Sequence, residues 1–265
     1  MNTRILSVVS RTYSPGTRTK TQIGITVILQ VQTNPFEALK SIGLIHTDLK
    51  PDNVMFVNHK DEPFKVKLID FGLAMPPSEV KKGMTIQPCG YRAPEVDLGL
   101  PICEAIDMWG LGCTLAFLFF GRDIFSGESA YSSMKTVCCL MGQPEDHVLN
   151  AGRYTTQFFK KEYYSPSYSA WRLKTPREFN DATGVWPSTE EWYFDTVGTL
   201  EEAVKSCSNP TDFIEREDIM AFSNLLEGLL CPDAMRRITP GQALRHDYIT
   251  MYKLNFNLIE FTFSD

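Results

Sequence analysis

Between Thr21 and Ile42 the apolar residues Ile25, Ile28, Leu29, Phe36, Leu39 and Ile42 recur at roughly helical spacing, which predicts a helix. Pro35 falls inside it, removing a backbone donor and crowding the carbonyl four residues back, so a kink costing ~3 kcal/mol is expected. Gly43 supplies the stop. The period then changes. "VMFV" (54–57) and "KVKLI" (65–69) read as short strands around the polar "NHKDEPF", which predicts a hairpin. The next stretch, "FGLAMPPSEVKKGMTIQPCGYRAPEV", carries four prolines and three glycines and reads as a long functional loop.

Beyond residue 100 the pattern is helical. "EAIDMWGLGCTLAFLFFG" predicts a buried central helix stopped by Gly121, and a second helix runs through "ESAYSSMKTVCCLMG". Residues 150–212, rich in Tyr, Trp, Pro and Ser, read as an irregular insert with short helices. "REDIMAFSNLLEGLL" and "TPGQALRH" close the domain as two helices, with Thr239 as N-cap and Pro240 at the first helical position of the second. Residues 1–20 read as an unstructured or unrelated leader, and 253–265 as a tail without a place in the core. One hairpin before a helical body makes the class α+β, predominantly helical, and excludes an alternating doubly wound sheet.

Composition narrows the classes. A net charge of −6 over 265 residues argues against direct nucleic-acid binding. The longest apolar stretch, residues 111–121, is far short of the ~20 residues that span a bilayer, so no membrane partner is expected. Seven cysteines, an odd number without a C-x-x-C pair, read as buried or free thiols of an intracellular chain. Four scattered histidines suggest no transition-metal site.

The chemistry concentrates in "GLIHTDLKPDNVMF" (43–56) and "KVKLIDFG" (65–72). Phosphoryl transfer needs hard oxygen ligands for a divalent cation, a carboxylate to orient the acceptor hydroxyl, and a cation near the transferred phosphate. Asp48 can be the base, Lys50 the cation, and Asn53 with Asp70 the metal ligands. The hairpin between 53 and 70 folds the chain back, so two loops can share one metal–phosphate site.

These residues carry a resemblance. "IHTDLKPDN" and "IDFG" resemble the catalytic loop and metal-binding motif of protein kinases, and "YRAPE" (91–95) resembles the end of their activation segment. "DMWGLG" (107–112) and "DAMRRITPGQALRH" (233–246) are similar to the central and last helices of the C-terminal lobe. Lys50 followed by Pro51 looks like the serine/threonine class. "LGLPICEAIDMWGLGC" and "LKSIGLIH" are similar to homeodomain-interacting protein kinases, which also lack Arg between the His and Asp of the catalytic loop; here Thr47 stands there.

The resemblance implies a kinase-like C-terminal lobe over residues 21–252, an activation segment over 70–95, and ATP and Mg²⁺ as cofactors. Asp48 would be the catalytic base, Lys50 the phosphate contact, and Asn53 and Asp70 the metal ligands. Met55 would sit under the adenine. His46 and Phe71 would align the loop, Glu95 and Arg237 would form a buried ion pair, and Asp107 would hold the catalytic-loop backbone. It further implies protein substrates, transcription regulators among them, and a nuclear or cytoplasmic location.

Three departures stand against it. No G-x-G-x-x-G and no lysine of a V-A-I-K strand occurs upstream, so a missing N-terminal lobe and impaired turnover are expected of this chain. Thr85 takes the place of the family's activation-segment tyrosine, Cys89 and Gly90 replace an Arg and a Tyr, and only Arg92 remains to receive a phosphate. Pro35 is the third. Two functions stay open: a serine/threonine kinase, or a kinase-derived binding module without phosphoryl transfer.

Overall fold

Two antiparallel strands, β1 (Val54–Asn58) and β2 (Glu62–Leu68), form the predicted hairpin, with Val54 opposite Leu68 and Met55 opposite Lys67. Val54, Val66 and Leu68 turn inward and are buried, whereas Lys67 is exposed, so one face of the ribbon lies on the core. The computed structural model describes residues 36, 38–58, 62–81, 84–165, 168–188, 190–208, 210 and 213–250. Pro35, most of the helix predicted over 21–42, the leader 1–20 and the tail 253–265 lie outside the described residues. So does the stretch on which a missing N-terminal lobe would be judged. Residues 38–41 are helical, and Gly43 follows with φ 71°, a left-handed value that suits a residue without Cβ.

The body is helical: α1 (Pro94–Leu98), α2 (Ala105–Phe120), α3 (Ala130–Leu140), α4 (Asp146–Ala151) and α5 (Thr155–Phe158) precede a second hairpin. That hairpin pairs β3 (Phe159–Ser165) with β4 (Tyr168–Leu173), and α6 (Pro176–Thr183), α7 (Leu200–Ser206), α8 (Phe213–Leu229) and α9 (Pro240–Ala243) follow. The two sheets among the described residues are these separate two-stranded ribbons.

Helix α2 is the axis. Almost every residue from Ile106 to Leu118 is buried, because its turns are covered on all sides, and Gly121 at φ 70° ends it as expected. Gly112 lets α8 approach: a Cβ there would lie 2.8 Å from Leu230 and 3.0 Å from Leu229. Trp109 stacks on Phe125 with ring centroids 5.4 Å apart. Helices α2, α7 and α8 share one core with the inner face of β1–β2. Leu98, Met134, Leu149, Phe158 and Phe179 form a second beneath the insert.

The insert is more ordered than its composition suggests. Residues 150–212 contain the β3–β4 ribbon as well as short helices, which corrects the expectation of an irregular segment. Tyr163 and Tyr164 are largely exposed, so burial does not alternate along β3 and no period-two signal marks the strand. Arg172 on β4 holds Glu162 on β3 at 2.6 Å and Glu178 on α6 at 2.7 Å, tying ribbon to helix. Thr175 and Glu178 complete a capping box at the start of α6. Thr239 and Gln242 form another at α9, with Pro240 leading as predicted, although α9 ends at Ala243 rather than continuing to residue 246.

Candidate active site

The catalytic-type loop begins where the helix ends. Ile45 exchanges two backbone hydrogen bonds with Met75, at 2.9 and 3.0 Å, which fastens the loop to the segment after Asp70. The next two amides turn towards Asp107 in the first turn of α2: His46 N–H donates to Oδ2 at 2.6 Å and Thr47 N–H to Oδ1 at 3.0 Å. Asp107 thus holds the loop backbone, as the resemblance implied. Burial pushes its carboxyl up to about 6, against the two amides, which favour the charged form. It remains ionised at neutral pH and can accept at both oxygens.

Leu49 lies directly on α2. A Cβ at Gly110 would sit 3.1 Å from both the Leu49 Cβ and its carbonyl oxygen, so the absent side chain sets how close the loop comes. His46 is fully buried and its pKa is lowered, chiefly by that burial. The neutral ring accepts from Asp48 N–H through Nδ1 at 3.3 Å and donates from Nε2 to the Ile69 carbonyl at 3.2 Å. It therefore spans the two chemical loops as a packing and orienting group.

Asp48 is the centre of the polar cluster. Lys50 Nζ lies 2.9 Å from each of its carboxylate oxygens. Asn53 Nδ2 donates to the Asp48 carbonyl at 2.8 Å and to its Oδ2 at 3.0 Å. A single 3-10 turn, Pro51–Asn53, brings Asn53 back over Asp48. Asn53 O then accepts from Ile69 N–H at 2.9 Å, which sets residue 70 beside residue 53 at the base of the hairpin. Asp70 has φ 62°, and its Oδ1 accepts from Gly72 N–H at 3.4 Å. The negative charges of Asp48 and Asp70 both raise the His46 pKa, against the larger lowering by burial.

The donor set fits magnesium. With its Nδ2 used by Asp48, Asn53 offers an amide oxygen, and exposed Asp70 offers a carboxylate; both are hard oxygen ligands. Among the described residues no group of three or more His, Cys, Asp and Glu gathers to hold a metal. A two-ligand site of this kind suits an ion that keeps waters and phosphate oxygens in its shell.

The supporting residues divide. Phe71 meets the His46 ring edge-on at 5.0 Å, yet is itself 47 % exposed, so only part of the expected packing is present. Met55 is half-buried on β1, two residues from Asn53. Glu95 on α1 and Arg237 meet bidentately at 2.6 and 2.8 Å, both fully buried. Thr85 is exposed. Arg92, expected to receive a phosphate, is otherwise engaged: it donates to the carbonyls of Ile86 and Gln87 and pairs with Asp97 at 3.2 Å. All seven cysteines are free thiols.

Several contributors had no sequence signal. Gln87 has φ 64°; its Nε2 donates to Ile106 O at 2.9 Å and its Oε1 accepts from Ala93 N–H at 3.0 Å, fastening the activation-type segment to α2. Tyr91 donates to Asp123, tying the same segment to the stretch just after the end of α2. Neither stands out in a polar loop by letters alone. A cavity of about 620 Å³ lies between the ends of α3 and α8, lined by Cys139, Met141, Glu145, Glu227 and Arg236 among others, and none of the predicted site residues borders it.

The protein kinase domain family matches residues 14–249. Homeodomain-interacting protein kinase 2 of Mesocricetus auratus is 40 % identical over 233 residues, covering 86 % of this chain and 20 % of that protein. Homeodomain-interacting protein kinase 1 of Mus musculus is 40 % identical over 230 residues, covering 86 % and 19 %. Homeodomain-interacting protein kinase 4 of Homo sapiens is 36 % identical over 241 residues, covering 86 % and 39 %. The chain thus spans between about a fifth and two fifths of the length of these curated relatives.

Proposed function

Because this chain belongs to the protein kinase family, in the serine/threonine class with homeodomain-interacting kinases among its relatives, we propose that it transfers the γ-phosphoryl of ATP to Ser/Thr hydroxyls of protein substrates. The observation that carries this reading is the cluster at residue 48. Asp48 is held by Asn53 and Lys50, while the Ile69–Asn53 hydrogen bond sets Asp70 alongside.

In this reading Asp48 accepts a hydrogen bond from the incoming hydroxyl, orients it, and takes its proton as the new oxygen–phosphorus bond forms and the bond from the γ-phosphorus to the β–γ bridging oxygen breaks, releasing ADP. Lys50, already beside Asp48, moves a positive charge to the transferred phosphate. Asn53 Oδ1 and the Asp70 carboxylate would hold Mg²⁺, which when bound neutralises phosphate charge. Neutral His46 keeps the two loops in register without moving a proton. Met55 would form the floor under the adenine. Protein substrates that are transcription regulators, and a nuclear or cytoplasmic site of action, rest on the relatives' likeness. No helix among the described residues is long and apolar enough to cross a membrane.

A second reading, a binding module without turnover, is favoured by the openness of this end: Asp70 is exposed and Phe71 half so. One experiment decides. Radiolabelled Mg·ATP and a generic Ser/Thr substrate should give transfer that Asp48→Asn abolishes while nucleotide-induced thermal stabilisation survives. A ligand at 100 times its Kd adds ~2.7 kcal/mol to stability. No shift with millimolar Mg·ATP would sink the enzyme reading.

A further inference from the structure

The position that departs from the usual catalytic-loop pattern has an unexpected partner. Thr47 lies at φ 67°, a left-handed conformation that is an outlier for a β-branched side chain, and it is only 1 % exposed. Two bonds hold it there. Its N–H donates to Asp107, and its hydroxyl donates to the Leu73 carbonyl at 2.8 Å. Leu73 follows the Asp70–Phe71–Gly72 turn, and its side chain is 58 % exposed, so packing does little to place it. The neighbouring anchors are backbone bonds, Ala74 N–H to Phe71 O at 3.0 Å and the Ile45–Met75 pair.

Activation segments can be ordered by a phosphate that recruits arginines. A neutral hydroxyl at 47 cannot take part in that, and Arg92 is already bonded to Ile86, Gln87 and Asp97 while Thr85 is exposed. We propose that Thr47 is a positioning residue: its hydroxyl clips the catalytic loop to the start of the activation segment and orders that segment without phosphorylation. The consequence for turnover rests on the kinase reading above; the clip itself does not.

The two can be tested separately on the full chain. Hydrogen exchange should show Thr47→Val losing at least ten-fold of the protection of the Ala74 and Met75 amides, with peptides from α8 unchanged, and Thr47→Ser keeping it. Should the valine variant fail to fold, Thr47→Gly removes the hydroxyl while relaxing the strained backbone, and must show the same local loss. Thr85→Ala and phosphatase treatment should leave protection at Ala74 and Met75 as in the parent chain. Where turnover is measurable, Thr47→Val should lower kcat about ten-fold with little change in the KM for ATP, and serine should restore it. Unchanged protection in the valine or glycine variant, or a loss on phosphatase treatment, overturns the proposal. Absent turnover in the parent chain with the exchange pattern intact overturns only the kinase reading.

Discussion

Two arginines in this molecule make nearly the same bonds in opposite surroundings. Arg237 grips Glu95 at 2.6 and 2.8 Å with both side chains sealed from water, and adds the carbonyls of Ala105 and Cys231 and the face of Trp109. Arg172 grips Glu162 at 2.6 Å and Glu178 at 2.7 Å, but its side chain is 35 % exposed. The first pair joins residues 142 positions apart; the second links a ribbon to the helix that follows it. Bond length is the same in both, so it cannot rank them. Solvent ranks them: a sealed charge that loses its partner has no water to turn to, whereas an exposed one does.

The largest effect should come from Glu95→Gln, which strands Arg237 without a counter-charge. We expect a loss of about 3–5 kcal/mol in urea denaturation. The double variant Glu95→Leu/Arg237→Met should cost less than the single one, since it removes both charges. An equal or larger loss would show that the pair does more than cancel its own burial.

Asp107→Asn comes next, at about 1–3 kcal/mol, because one amide oxygen cannot serve both the His46 and Thr47 N–H groups. It also carries a pH signature. The Asp107 carboxyl is raised to about 6 from 3.8, so the folded chain holds that proton more tightly than the unfolded one. Its contribution is fully present below about pH 4 and is lost as pH rises through 6. Removing the group should flatten the stability slope across that window by about 2–3 kcal/mol. An unchanged slope would mean the amides, not burial, govern this carboxyl.

Gly110→Ala should be of similar size or smaller, about 1–3 kcal/mol, since a methyl group there meets Leu49 at 3.1 Å. Its signature is local: proton exchange at residues 48–50 should rise before the rest of α2 responds. Arg172→Ala should be the mildest, leaving the thermal midpoint almost unchanged, and any effect should vanish at 1 M salt. A clear drop in midpoint would place the insert's cluster on a par with the sealed pair and erase the contrast.

The same contrast explains what could be read from the letters. That Asp48, Asn53 and residue 70 come together was legible because one hairpin between 53 and 70 folds the chain back. Helix α2 was legible because its apolar run has no polar face to confuse it. Glu95 and Arg237 became partners only through the resemblance, since no local rule joins residues 142 apart. The β3–β4 ribbon escaped because its tyrosines point to water and break the alternation that marks a strand. Gln87 escaped because its role is a backbone angle and two buried bonds, neither of which composition records. The partners of Arg92 escaped as well, because the carbonyls of Ile86 and Gln87 and the Asp97 carboxylate that hold its guanidinium come together only in the fold.

The β1–β2 ribbon has a practical corollary. Its pairing is anchored at the Val54–Leu68 rung, next to the Asn53–Ile69 bond, while the Asn58–Glu62 rung lies at the opposite end. The separation of the two proposed magnesium ligands is therefore set at the near end of the ribbon, by its first rung and the bonds around Asn53. A spectroscopic tag or a grafted peptide spliced between residues 58 and 62 would ride on the ribbon as a handle, reporting on the site without disturbing its spacing.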